Sequence, residues 1–169
     1  SSMEPELGGS ALGQVMNRIG TKAPTVTDPV YFARVFETIQ GLIKKGKIIA
    51  GHDISAGGMI TTLLEMCFAG REGGLAINLG EMDEDDTVKL LFSQNPGVII
   101  QVEKEDETEE ILLENGITYF TIGHPVKERK VFITNGKASH TLDIDSLRDL
   151  WYRPSWLLDR KQSGVDLAK

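Results

Sequence analysis

Residues 48–70 read IIAGHDISAGGMITTLLEMCFAG, and a change of period inside this stretch sets the fold class. Ile48-Ile49-Ala50-Gly51-His52 is a short apolar run with the character of a buried strand. Residues 53–58 are rich in small and turn-forming side chains, so a loop is expected there. Over residues 57–69 the apolar positions Met59, Ile60, Leu63, Leu64, Cys67 and Phe68 recur at helical spacing. That spacing predicts a helix opening directly out of the loop. A strand feeding a helix through a glycine turn is a building unit of α/β architecture.

The same reading extends in both directions. Upstream, Thr27-Asp28-Pro29 supplies a cap and a first-turn proline for an amphipathic helix over residues 29–45, stopped by Gly46. Leu7-Gly8-Gly9-Ser10 opens a short helix over residues 10–19, and residues 1–6 read as a linker or an appended remnant. Downstream, strands are expected at residues 75–79, 97–102, 119–123, 130–134 and 138–142, with helices at 87–92 and 105–115. Asn135-Gly136 between the last two strands is a strong hairpin signal. The expected fold is α/β, an α+β sandwich. Its one mixed sheet includes residues 48–52, 75–79, 97–102 and 119–123, and its helices cover one face. Residues 146–161 are helical in pattern but interrupted near Pro154.

Composition narrows the partners. The chain has 169 residues, enough to bury an ordinary core, and its 40% hydrophobic content is that of a globular protein. A formal charge of −7 argues against tracking a nucleic-acid backbone. The sequence contains no run resembling a membrane span or a signal peptide, so neither membrane nor nucleic acid is expected as a partner. With Cys67 as its single cysteine the chain cannot form an internal disulfide, which suits a cytoplasmic setting.

The segment Gly51-His52-Asp53-Ile54-Ser55-Ala56-Gly57-Gly58 concentrates the candidate chemistry. First-turn amides of the following helix lack intrahelical partners, and two glycines allow close approach, so a phosphate seat is physically reasonable. Asp53 offers the hard oxygen that Mg²⁺ prefers, and Ser55 offers a hydroxyl donor. The structural alternative is that Asp53 or Ser55 caps the helix and the glycines make a tight turn. Cys67 lies between Met66 and Phe68 inside the predicted helix, so it reads as a core residue and not as a nucleophile. His124 and His140 read as surface or structural, residues 81–86 as a solvated acidic face, and Glu65 as structural. Trp151 and Trp156 read as anchors for the last helix.

GHDISAGGMITTLLEMCFAG resembles the HD-x-S-x-GG signature of the AIR-synthase-like superfamily. ELGGSALGQ at residues 6–14 is similar to the segment joining the preceding nucleotide-binding domain of that family to its C-terminal domain. LRDLWYRPSWLLDRKQ at residues 147–162 is similar to the helix leading toward a glutaminase domain in the large formylglycinamide ribonucleotide amidotransferases. The matches fall in order and span nearly the whole chain. The resemblance implies a part of a purine-biosynthesis ligase that uses ATP, glutamine and formylglycinamide ribonucleotide to give the amidine, ADP, phosphate and glutamate. By position it implies Asp53 as a Mg²⁺ ligand and Ser55 as a nucleotide contact, and it leaves His52 without a role. ATP and Mg²⁺ would both need the preceding domain, which holds most of the family's ligands, so this piece alone is expected to be inactive. The implied organisation is residues 7–145 as the C-terminal domain and 146–169 as helix and linker toward the glutaminase. A structural nucleotide-binding module of the same enzyme, or a domain of a related AIR-synthase-like enzyme, is the alternative.

Overall fold

A computed structural model of the chain describes residues 5–164. Residues 1–4 of the expected linker and 165–169 of the expected tail lie outside the described residues. The elements run α1 (Ala11–Val15), α2 (Pro29–Lys44), β1 (Ile48–Ile54), α3 (Gly58–Phe68), β2 (Gly74–Asn78) and α4 (Thr87–Phe92). They continue with β3 (Gly97–Val102), α5 (Glu105–Glu114), β4 (Gly123–Val126), β5 (Lys130–Asn135), β6 (Ala138–Asp143) and α6 (Ile144–Ser163).

The strands form two sheets, where the sequence suggests one. β4, β2, β5 and β6 make a four-stranded sheet in that order, while β1 and β3 pair antiparallel as a separate ribbon. The larger sheet is mixed, as expected: β2 runs parallel to β5 and antiparallel to β4. Leu75 pairs with Val131 and Ile77 with Ile133, so these four side chains share one face. That face meets Met59, Ile60 and Leu63 of α3, Leu90 and Leu91 of α4, and the fully buried Ile144 at the start of α6. A second, smaller core joins Leu42 of α2 to Leu112 and Ile117 around α5, with Ile48 and Ile100 of the ribbon against it. The opposite face of the ribbon, through Ile54 and Ile99, packs against the main core. Separate sheets are therefore compatible with the observed apolar pattern, because each has its own helices to pack on.

Several element ends differ from the expectation for identifiable reasons. α1 stops at Val15 and does not reach Ile19, because Asn17 takes φ +53° and the chain turns back, Arg18 N donating to Gly13 O at 2.7 Å. The strand expected at 119–123 is displaced to Gly123–Val126, where β4 is an edge strand. Pro125 is tolerated at such an edge, since it has no N–H to give to a ladder. The hairpin loop is Gly136-Lys137, with Asn135 paired to Ala138 across it. Gly136 supplies the positive φ (+54°) at the first loop position, as a type II′ turn requires. α6 is continuous through Pro154, on an exposed stretch where the missing N–H removes one bond without ending the helix.

Candidate functional site

β1 is longer than its apolar start suggests, and this decides where the candidate residues sit. Asp53 and Ile54 belong to the strand, not to a loop, pairing with Val98 and Gly97 of β3. Because side chains alternate along a strand, His52 and Ile54 turn toward α3 while Asp53 turns to the opposite face, at its end where the cross-strand partner Val98 is also exposed. The Asp53 side chain is 74% exposed there. Ser55, the first residue past β1, is also exposed.

The backbone beneath Asp53 is held from α3. Buried Thr62 donates its hydroxyl to Asp53 O at 3.0 Å. His52 places Nδ1 2.7 Å from the same carbonyl and 3.6 Å from the Asp53 carboxylate. Its Nε2 lies 3.3 Å from Oε2 of Glu65. Thr62 and Glu65 are three apart and so share one face of α3. This explains the structural part played by Glu65, and gives His52 a bridging position that the motif alone did not.

Neither Asp53 nor Ser55 caps α3. The cap is Gly57, at φ +91°, with no side-chain cap bond. The glycine amides are also not arranged as the expected phosphate seat. Gly58 N donates to Ser55 O at 3.0 Å, and the first turn of α3 is buried at Gly58, Met59 and Ile60. Gly58 carries φ +76°, and a Cβ there would lie 2.7 Å from Leu91 O, so this glycine serves the close approach of α3 to the end of α4. The exposed polar side chains of this stretch are therefore the Asp53 carboxylate and the Ser55 hydroxyl.

The 93–95 turn between α4 and β3 was not singled out by sequence reasoning. The Gln94 amide orientation that gives its oxygen donors brings it 2.9 Å from Gly57 N and 2.8 Å from Ala11 N. Its neighbour Asn95 accepts from Glu6 N at 3.2 Å. No spacing rule reveals such contacts, because the partners are far apart in the chain.

Among the described residues, no group of three or more His, Cys, Asp or Glu side chains could hold a metal. A single exposed carboxylate is nonetheless an adequate protein contribution to Mg²⁺, which is commonly held by one or two carboxylates together with phosphates and water. Cys67 is half-buried in α3, and burial pushes its thiol pKa up, opposed by the Arg129 guanidinium. That is the environment of a packing residue. Arg129 donates to Cys67 O at 2.9 Å and to Gly73 O at 3.3 Å, and meets Asp145 at 3.1 Å, tying the end of α3 to β2 and α6. No helix among the described residues is long and apolar enough to cross a membrane.

Residues 2–135 match the family model described as AIR synthase related protein, C-terminal domain. The chain is similar to the probable phosphoribosylformylglycinamidine synthase, chloroplastic/mitochondrial, of Arabidopsis thaliana, at 36% identity over 96% of this chain and 12% of that protein. It is similar to the human phosphoribosylformylglycinamidine synthase at 33% identity over 93% of this chain and 12% of that protein. The chain thus spans about an eighth of the length of these relatives. In fold it is similar to the T. maritima PurL complexed with ATP, with a TM-score of 0.64 at 16% identity, covering 73% of this chain and 23% of that one. PurLQS from Thermotoga maritima gives a TM-score of 0.65 at 15% identity, covering 83% of this chain and 24% of that chain.

Proposed function

Since the chain belongs to the family of AIR synthase related proteins, C-terminal domain, we propose that it forms one wall of a Mg²⁺–nucleotide site in a phosphoribosylformylglycinamidine synthase. The reaction of that enzyme joins the nitrogen of glutamine to formylglycinamide ribonucleotide at the expense of ATP. The observation carrying this reading is that the Asp53 carboxylate and Ser55 hydroxyl, neither used as the α3 cap, are both exposed where β1 ends. Support comes also from the two relatives named for this enzyme, whose identity extends over more than nine-tenths of the chain.

In this reading Asp53 ligates the cation and Ser55 donates to a phosphate oxygen. Mg²⁺ would supply neutralisation of phosphate charge and a fixed geometry for it. Residues 7–145 act as the C-terminal domain and 146–169 as the link onward. A preceding nucleotide-binding domain and a following glutaminase domain complete the enzyme. The single cysteine fits a cytoplasmic setting, although the Arabidopsis relative carries an organellar name.

The test is titration of Mg²⁺ and nucleotide into the full-length protein and its variants. Asp53→Asn should weaken nucleotide binding by ~10-fold or more, the size of one charge-assisted contact. Ser55→Ala should cost on the order of 1 kcal/mol, because only a neutral donor is lost. Binding by Asp53→Asn equal to that of the unaltered protein overturns the metal assignment. Weakened binding with unchanged turnover assigns the nucleotide a structural role instead of a catalytic one.

A further inference from the structure

We propose that Gln94 is a positioning residue that couples the entering segment, residues 6–11, to the 53–57 stretch, so that the two are held in one register. The proposal rests on the reading of Asp53 and Ser55 given above, and adds a residue that neither the signature nor the family match points to.

The geometry is specific. With the Gln94 amide assigned so that its oxygen meets donors and not acceptors, that oxygen lies within 2.9 Å of two backbone donors, Gly57 N at the cap of α3 and Ala11 N at the first residue of α1. A carbonyl oxygen has two lone pairs, so both bonds can form at once. Gly57 is two residues from Ser55, and the Gly58 N–Ser55 O bond closes the turn between them. The path from Gln94 to the exposed hydroxyl therefore passes through one short turn. On the other side, Asn95 Oδ1 accepts from Glu6 N, extending the hold to the segment before α1. That segment is itself stiff: Gly8 N donates to Lys22 O at 2.8 Å, and Gly9 N to Ile19 O at 2.7 Å. Buried Ser10 caps α1 by accepting from Gly13 N at 3.1 Å. A displacement of the segment is thus passed through Gln94 to the turn carrying Ser55, without a side-chain contact between them.

An ordinary packing residue at 94 would not care which atoms it presents. A coupling residue would. Gln94→Met keeps length and removes the acceptor, whereas Gln94→Glu keeps an oxygen facing both donors. Both are made in the full-length protein and followed by amide hydrogen exchange in peptides covering residues 7–13 and 55–59. Affinity for Mg²⁺ with ATP is measured in parallel.

Gln94→Met should speed exchange in both peptides together by about five-fold, the size of one neutral hydrogen bond, and weaken nucleotide binding severalfold. Gln94→Glu should keep exchange in both peptides close to that of the unaltered protein. Unchanged exchange in Gln94→Met overturns the coupling, and so does Gln94→Glu behaving like Gln94→Met. Faster exchange with unchanged nucleotide affinity, where Asp53→Asn does lower that affinity, overturns the positioning role. If Asp53→Asn has no effect, the reading of the Asp53 site fails by itself, and the paired exchange still decides whether residues 6–11 and 53–57 are held together.

Discussion

The four-stranded sheet and the β1–β3 ribbon are both tied to α3, yet they are supported in different ways. In the sheet, Ile77, Val131 and Ile133 are covered by α3, α4 and the start of α6, and each of the three is no more than 5% exposed. The ribbon has only two strands, and a two-stranded unit is marginal without packing from elsewhere. Its second core has just Leu42, Leu112 and Ile117 fully inside, while Phe36 of α2 and Ile49 of β1 stand 60% and 59% exposed. Of the candidate ligands, Asp53 sits on the ribbon and Ser55 directly follows it, and neither is on the sheet. The proposed site would therefore be carried by the less enclosed of the two units, with α3 holding it to the more enclosed one.

The comparison breaks most directly in the cores. Leu63→Ala empties a position at the centre of the main core and should cost about 2–5 kcal/mol, lowering the whole unfolding transition. Leu42 is equally buried, but Leu42→Ala should act chiefly on α2 and α5, seen as faster amide exchange there while β2 and β5 stay protected. Equal loss of protection everywhere in both variants would show one cooperative unit, and the distinction drawn here would fall.

Helix caps sharpen it on a smaller scale. Asp86 accepts from Val88 N and Lys89 N at the start of α4, and Asp28 accepts from Tyr31 N at the start of α2. Replacing either by Ala should cost about 1 kcal/mol. Loss at Asp86 should lower the melting temperature of the main transition, and loss at Asp28 should appear mainly as fraying of α2.

The smallest effect is electrostatic and belongs to the ribbon side alone. Lys104, at 2.7 Å, and then Lys47 hold the Glu107 carboxyl down to about 2. Its folded pKa is below the usual value of about 4.3, so the contribution is complete above that pH and is lost as pH falls toward about 2. Glu107→Gln should remove that part of the acid sensitivity of α5, followed by amide protection between pH ~5 and ~2. High salt should shrink the difference, because the groups are exposed to screening.

What was legible in the sequence follows the range of the forces involved. α2, α3, α4 and β3 were readable because periodicity and a local cap such as Asp28-Pro29 are short-range signals, whereas Asp86, read as part of a solvated acidic face, proves to cap α4. The division into two sheets was not, because strand partnership depends on which helices cover which face. The Asp53–Ser55 candidates were visible from residue type, but their facing was not. It depends on β1 continuing to Ile54, and that depends on pairing with Gly97, more than forty residues away. For the glycines at 57 and 58 the sequence left a ligand approach and a tight turn both open, and the structure shows the turn. Their freedom is used for the approach of Leu91 and for the Gln94 bond, both of them tertiary facts.

Pro154 divides the chain's two tryptophans between different surroundings within a single helix. Trp151, on the anchored side, lies 5.8 Å from Phe68 of α3 and edge-on to Tyr152. Trp156, beyond the proline, has the Arg160 guanidinium 5.2 Å over its ring and no described aromatic neighbour. The molecule therefore carries two native fluorophores that report on different events. With Trp156 replaced by Phe, emission follows the seating of α6 on the domain; with Trp151 replaced, it follows the local winding of the exposed helical end.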